Sequence, residues 1–374
     1  LGGFCTAEMI SSQGLMLTNH HCAYDAIQSH SSVDNNILAN GFWAMSMEEE
    51  LPNPGLYARY LVRMEDVTEQ VLSEVNADMS EDERNAAIQA AVAELKKTTK
   101  GDSHYDVDIK SFFAGNEYYM FVYETFQDVR LVGNPPESVG KFGGDTDNWM
   151  WPRHTGDFAL LRVYAAPDGS PAKYAEENKP MKPKHHLPVS LKGVNNGDFA
   201  MIMGYPGSTD RYLTSFGVQE ELELHQPTVV EIRDVKLKTM KEFMDADPAV
   251  RIQYASKYAQ TANYWKYYIG QQKQLKRNRV WDKKVALEAE FTAWVNADAD
   301  RKAKYGDALA LIKEAYELRK ASVVGNTYVL EAGLIGADSP LFAYRASANL
   351  APALEAGDEE KLAKTVAALK GMAA

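Results

Sequence analysis

The chain changes from strand-forming to helix-forming patterns shortly after residue 211, and this change limits the folds it can adopt. Before it, short runs rich in β-branched and aromatic residues alternate with Gly, Pro and Asn turns, as at 56–63, 107–113, 118–126, 158–164 and 199–204. After it, apolar residues recur with helical spacing at 220–224, 229–245, 250–276, 283–297, 303–320 and 359–369. We therefore expect a β domain over 1–211 and an α-helical domain over 212–374.

One helix is expected inside the β domain. Ser80 and Glu83 have the spacing of a capping box, in which each side chain satisfies a free backbone N–H at the start of a helix. An apolar stripe follows, and Gly101 comes where such a helix would end. This pattern predicts a helix from 81 to 100.

Composition excludes several classes of protein. The 374 residues include 40 Lys+Arg and 52 Asp+Glu, for a formal net charge of −12, which argues against a general affinity for nucleic acid or anionic lipid. No run approaches the roughly 18 apolar residues of a membrane-spanning helix.

The strand pattern starts at the first residues without a targeting segment, and the helical pattern at 359–374 stops without a finished domain. We expect the chain to be an internal piece of a longer protein.

The two cysteines, Cys5 and Cys22, flank a predicted hairpin with strands at 4–10 and 15–22. A hairpin brings its outer ends together, so a disulfide between them is geometrically reasonable. Two free, buried cysteines are the alternative, and the position alone favours neither. A bridge would indicate an oxidising compartment.

His21 is the histidine that we single out among the eight in the chain. It ends the second predicted strand and directly precedes Cys22, and a bridge there would hold its backbone rigidly, as a general base requires. Trypsin-like serine peptidases place their histidine in this way. A satisfied structural histidine is the alternative. On a strand His20 would point away from His21, and no HExxH segment occurs, so the sequence gives little support for a metal enzyme.

A histidine base needs a carboxylate that sets its tautomer, and Asp157, at the start of the strand at 158–164, is the candidate. An exposed aspartate at a strand start is the alternative. The chain contains no GxSxG or GNSGS-like segment that would supply a nucleophile. In a peptidase built of two β-barrels, the second barrel normally precedes the serine. Ser208 follows Asp157 too closely for such a barrel to lie between them, and we interpret it as a turn serine. Since 193–207 has the pattern of a second barrel's opening strand, we expect the nucleophile beyond residue 374.

Taken together, five segments resemble the dipeptidyl peptidases of serine-peptidase family 46. They are GFCTAE at 3–8, LTNHHC with YDAIQ at 17–28, GGDTDNWMWPRH at 143–154, GYPGST at 204–209 and ANYWK at 262–266. These segments span most of residues 3–270 and are specific in combination. Beyond about residue 280 the resemblance is one of general helical character.

The resemblance implies a chymotrypsin-like double β-barrel, of which the first barrel and the start of the second are present, with an inserted all-α domain that covers the active-site cleft. It matches the family's catalytic pair to His21 and Asp157, and its serine to no residue here, so this chain alone would be inactive. The family's residues for the substrate's free amino terminus match Asn148, Trp149 and Asn263. Amide oxygens accept from an ammonium, and an aromatic face tolerates one. Plain core packing is the alternative for Trp149, and ordinary helix packing is the alternative for Asn263.

We therefore expect a serine-type dipeptidyl aminopeptidase that acts on peptides with a free N-terminus and needs no metal or organic cofactor. A periplasmic, secreted or cell-surface bacterial location fits a bridge between Cys5 and Cys22, and the resemblance implies a homodimer. Two alternatives stay open: a peptide-binding module that has lost its nucleophile, and an ordinary endopeptidase.

Overall fold

The structure, a computed structural model of the chain, describes residues 1–204, 207 and 209–373. Residues 371–373 are described through their backbone alone. It divides into two compact units, Leu1–Phe142 with His154–Gly207, and Gly143–Arg153 with Ser208–Ala374. The first unit contains the strands and the second is helical, so the chain combines sheet and helix as expected. The domain boundary after residue 211 stays a prediction.

Two antiparallel sheets form the strand part of the first unit. The strands are β1 (Glu8–Met9), β2 (Leu15–Thr18), β3 (Phe42–Trp43), β4 (Leu51–Pro52), β5 (Ala58–Asp66), β6 (Asp106–Phe112), β7 (Glu117–Phe126), β8 (Asp128–Asn134), β9 (Ala159–Ala165) and β10 (Lys179–Pro180). The larger sheet has the order β1-β2-β9-β8-β3, with β10 also paired to β9 and β4 to β8. The smaller sheet has the order β5-β7-β6. Closure into a barrel stays a prediction.

The first unit also contains short helices around these sheets. They are α1 (His20–Ser29), α2 (Ile37–Asn40), α3 (Thr68–Leu72), α4 (Glu81–Lys100) and α5 (Glu137–Gly140), with 3₁₀ turns at Met47–Glu49 and Phe113–Gly115. The helix predicted at 81–100 is confirmed as α4, with both halves of the Ser80–Glu83 capping box formed. Gly101 follows it at φ 47°, a backbone angle that favours glycine.

The core of the larger sheet lies between its strands and α1. Val129 and Leu131 of β8 and Leu161 and Val163 of β9 are almost fully buried, and Ile27 of α1 is buried with them. The two-residue spacing within each strand puts these side chains on one face of the sheet. Of the elements around this core, α1 carries His21, and β9 begins two residues after Asp157.

Two strand predictions are wrong. The second strand of the hairpin ends at Thr18 rather than at residue 22, because helix α1 begins at His20. The segment 199–204 forms no strand, and within the described part of the chain no strand pairs with it. A strand requires hydrogen bonds to a neighbour, and without one the apolar Phe199 and Ile202 are 87% and 99% exposed.

The second unit consists of helices. They are α6 (Gly144–Asp147), α7 (Ser215–Glu220), α8 (Gln226–Ala246), α9 (Pro248–Arg277), α10 (Val280–Asn296), α11 (Ala299–Tyr305), α12 (Ala308–Tyr328), α13 (Asp338–Glu355) and α14 (Glu359–Ala373), with π-helical segments at Glu221–His225 and Val329–Leu334. Asp247 joins α8 to α9 and caps α9 by accepting the N–H of Ala249 at 2.8 Å. The helix predicted at 303–320 is interrupted by Gly306, and α13 was not predicted. Among the described helices, none has the length and apolar character needed to cross a membrane.

Candidate active site

Asp157 and His21 lie together in the first unit. The Oδ2 atom of Asp157 is 2.7 Å from Nδ1 of the His21 ring, and its Oδ1 atom accepts the backbone N–H of His21 at 3.0 Å. His21 stands in the first turn of α1, where backbone N–H groups have no partner within the helix. The carboxylate therefore both caps the helix and orients the ring.

Asn19, which sequence reasoning missed, completes this arrangement. Its side-chain Nδ2 donates to the backbone O of Asp157 at 3.1 Å and to Oδ2 at 3.3 Å. Asn is typical of the residue directly before a helix, so a helix prediction at residue 20 would have drawn attention to it. Asn19 ties the chain before α1 to the segment that leads into β9.

The charge state of Asp157 follows from these contacts. Burial alone would raise the pKa of the carboxyl, but the hydrogen bonds from His21 and the attraction of its ring outweigh burial, so the pKa lies below its usual value. The His21 side chain is 69% exposed against 21% for Asp157. With Nδ1–H directed at the carboxylate, the second ring nitrogen is left as the proton acceptor, which suits a general base.

His20, unlike the exposed His21, is buried. Its ring is 1% exposed, lies edge-on to the ring of Tyr24 at 5.5 Å, and has an Nε2 atom with no hydrogen-bond partner among the described residues. Burial lowers the pKa of His20, although the charges of Asp157 and Glu137 partly oppose this. His20 and His21 are consecutive residues of a helix, not of a strand, so the expectation about strand faces was wrong.

Cys5 and Cys22 form a disulfide, with their Cα atoms 6.1 Å apart. Cys5 precedes β1, and Cys22 lies in α1, so the bridge joins an irregular segment to a helix instead of closing a hairpin. In the described part of the chain, Cys5, His21 and Cys22 form the one group of three or more potential ligands whose atoms lie within 4.8 Å of one another. Because the two sulfurs are bonded together, they do not offer the thiolates that a metal ion would need.

Asn148, Trp149 and Asn263 lie together in the second unit. The side-chain Nδ2 of Asn148 donates to Oδ1 of Asn263 at 2.9 Å, and the indole N–H of Trp149 donates to the backbone O of Asn263 at 2.9 Å. Trp149 has a φ of +60°, which costs a residue with a Cβ on the order of 1–3 kcal/mol and requires support from its surroundings.

Two residues that sequence reasoning missed surround this group. Arg153 donates to Oδ1 of Asn148 at 3.3 Å, and the ring of Tyr267 lies 4.8 Å from that of Trp149. Each amide oxygen has two lone pairs, so Asn148 and Asn263 each keep one for a further donor. The arrangement can accept N–H groups of a ligand and offers the half-exposed face of Trp149 beside them.

The sequence supplies no motif for the nucleophile, since it contains no GxSxG segment. Ser208, interpreted as a turn serine, lies outside the described residues.

The sequence model of the peptidase S46 family matches residues 1–370. The chain is 47% identical over 328 residues to a dipeptidyl-peptidase 7 of Capnocytophaga gingivalis, which covers 88% of this chain and 46% of that protein. It is 49% identical over 314 residues to an Asp/Glu-specific dipeptidyl-peptidase of Flavobacterium psychrophilum, with 84% and 44% covered.

A solved structure agrees with these sequence matches. The crystal structure of Porphyromonas endodontalis DPP11 in complex with the dipeptide Arg-Glu has a TM-score of 0.83 and 38% identity, and the match covers 98% of this chain and 54% of that one. The chain therefore spans about half the length of the relatives that it matches.

Proposed function

Because the chain belongs to the peptidase S46 family, we propose that the full-length protein is a serine-type dipeptidyl aminopeptidase, which releases dipeptides from the free amino ends of peptides. The family resemblance found in the sequence is thereby confirmed. The activity is supported by the names of the relatives and, above all, by the 2.7 Å contact between His21 and Asp157.

In this proposal His21 is the general base. Its ring takes the proton of a serine hydroxyl as that oxygen attacks the peptide carbonyl, and later gives the proton to the leaving amine. Asp157 stays ionised, fixes the ring tautomer and stabilises the imidazolium that forms. The serine belongs to a part of the protein outside this chain, so the chain by itself is expected to be inactive.

Asn148, Trp149 and Asn263 would bind the substrate's free ammonium group. An ammonium has three N–H donors, and the two amide oxygens each have one lone pair available. Binding the amine at a fixed distance from the scissile bond would limit the product to a dipeptide. The dipeptide in the P. endodontalis crystal structure supports this class of ligand.

The location and assembly are also proposals. The Cys5–Cys22 disulfide supports an oxidising compartment, which for a bacterial protein is the periplasm or the cell exterior. A homodimer is expected from the family resemblance alone. The relatives include both a dipeptidyl-peptidase 7 and Asp/Glu-specific enzymes, so we propose no preference for the residue before the cleaved bond.

The test uses the full-length protein and a dipeptidyl reporter with either a free or an acetylated amino terminus. We expect cleavage of the free form alone, and its loss in His21→Ala. The matched control is His104→Ala, since His104 is a half-exposed histidine of the bend that precedes β6. Equal cleavage of both reporters would indicate an endopeptidase, and cleavage of neither would favour a peptide-binding module without activity.

A further inference from the structure

One face of α9 contacts residues 145, 146, 148 and 149. Asn263, Lys266 and Tyr267 are spaced three and four residues apart, so they project from the same side of the helix. Asn263 binds Asn148 and Trp149, and Tyr267 packs its ring on Trp149. The remaining member of this face, Lys266, has no role in the proposed reaction.

Lys266 binds the turn directly before Asn148. Its ammonium donates to the backbone O of Asp145 at 2.8 Å and also to the backbone O of Thr146. Both carbonyls belong to α6, a helix of only four residues, and Lys266 supplies a charged donor to each of them. Lys266 is half-buried, which strengthens a hydrogen bond between a charged donor and a carbonyl.

Past this turn Asn148 has an ordinary extended backbone at φ −62° and ψ 136°, whereas Trp149 follows at φ +60°. A tryptophan in the left-handed region persists only where its neighbours determine the conformation. The contacts of Asn263 and Tyr267 restrain the side chains, whereas Lys266 restrains the backbone from which they start.

We propose that Lys266 is a positioning residue for the amine-binding group, because it fixes the 145–149 backbone against α9 and so sets where the amide oxygen of Asn148 lies. This inference rests on the proposed function, in which Asn148 and Asn263 bind the substrate ammonium. Lys266 itself donates to the protein's own carbonyls and does not touch the substrate.

The direction in which substrate binding changes when the Lys266 ammonium is removed distinguishes a positioning role from a purely electrostatic one. An ammonium repels another ammonium, so if the charge of Lys266 were its only influence, removing it would improve the binding of a substrate with a free amine. If Lys266 positions the site, removing it would weaken that binding instead. Lys266→Met, which keeps the length of the chain but loses the donor, therefore gives opposite results under the two explanations.

The experiment measures KM and kcat of the full-length protein on the free-amine reporter, for Lys266→Met, Lys266→Arg and the control Lys273→Met. Lys273 is an exposed lysine of the same helix. We expect Lys266→Met to raise KM by about tenfold, the scale of a lost hydrogen bond from a charged donor, with a smaller change in kcat. Lys266→Arg, which can still donate to carbonyls, should restore most of the affinity, and Lys273→Met should leave KM unchanged.

The rate of labelling by a small fluorophosphonate, which needs the serine and His21 but no amine site, is measured in parallel. An unchanged labelling rate together with a raised KM supports positioning. An unchanged or lowered KM in Lys266→Met overturns it, and so does an equal loss of labelling, which would make Lys266 a general support of the fold. If the unsubstituted protein cleaves acetylated and free reporters equally, the proposed function itself has failed.

Discussion

Asp157 binds His21 through both of its carboxylate oxygens, one to the backbone N–H at 3.0 Å and one to the ring Nδ1 at 2.7 Å. The backbone contact anchors the first turn of α1, and the ring contact sets which ring nitrogen keeps its proton. A single side chain thus couples the start of a helix to the orientation of the proposed base. Movement of one contact would disturb the other.

Replacing Asp157 by asparagine should remove activity while leaving the fold in place. The amide of Asp157→Asn can accept one of the two hydrogen bonds but not both, and it no longer stabilises a charged His21 ring. We expect kcat of the full-length protein on the free-amine reporter to fall by about 10⁴-fold.

Asp168→Asn is the matched control, since Asp168 is an aspartate of the same unit that binds only Ser170 in an exposed turn. Its kcat should be unchanged. A fall of less than about tenfold in Asp157→Asn would show that the carboxylate is not the partner of a catalytic histidine.

Gly140 packs directly against the ring of His20 and leaves no room for a side chain at residue 140. A Cβ at residue 140 would lie 2.5 Å from two ring carbons of the buried His20, so the ring or α5 would have to shift. We expect Gly140→Ala to lower the free energy of unfolding of the first unit by about 1–3 kcal/mol. Urea-dependent hydrogen exchange of amides in the first unit measures it, since five of the six tryptophans lie in the second unit and fluorescence would mainly report that one.

Gly270→Ala is the control for this prediction, because nothing lies within 4 Å of its added Cβ. Gly270 is inside α9, so the alanine should instead stabilise the helix by up to about 1 kcal/mol. If Gly140→Ala is as stable as the unsubstituted protein, the packing of His20 against Gly140 is not tight.

Local sequence signals predicted the parts of the fold that depend on neighbours in sequence. The Ser80–Glu83 capping box located α4, because both of its hydrogen bonds join residues three apart. The same reasoning failed at residues 19–22, where a partner distant in sequence decides the structure. Asp157 supplies the cap that makes this segment a helix, and a period-two pattern in LTNHHC does not reveal it.

In the candidate site, too, local sequence signals identified residues but not their distant partners. His21, Asp157, Asn148 and Asn263 were found through motifs, whereas the contact that joins each pair spans more than a hundred residues of sequence. Lys266 and Tyr267 could have been found by adding three and four residues to Asn263 on a predicted helix. Their partners at 145–149 could not, since periodicity carries no information on which surface a helix face meets.

The Cys5–Cys22 disulfide should stabilise the first unit. It closes a loop with a sequence separation of 17, for which the entropy of the unfolded chain predicts about 3 kcal/mol. We expect the double variant Cys5→Ser with Cys22→Ser to lose about this much free energy of unfolding. Adding a reductant to the unsubstituted protein should lower its midpoint of unfolding in the same direction, and should not affect the double variant. Equal midpoints for the two proteins without reductant would contradict the prediction.

His225 should make the stability of the second unit depend on pH. It is the one histidine in the sequence of that unit, and its Nδ1 lies 2.9 Å from Oε2 of Glu221. This hydrogen bond raises the pKa of His225 above its usual value of 6.5; burial opposes it, and the charges of Glu221, Glu331 and Glu220 add to it. Because the folded state holds the proton more tightly than the unfolded state, the contribution to stability is fully present below pH 6.5 and is lost as the pH rises through the raised pKa.

Urea unfolding followed by far-ultraviolet circular dichroism, which reports mainly the helical unit, should therefore give a lower midpoint at about pH 8 than at about pH 6. In His225→Gln, which can still donate a hydrogen bond to Glu221 but cannot titrate, this difference should disappear. His104→Gln is the control, because His104 lies in the first unit and its replacement should leave the difference in place. If His225→Gln keeps the full pH difference, another group is responsible and the His225–Glu221 pair does not contribute to it.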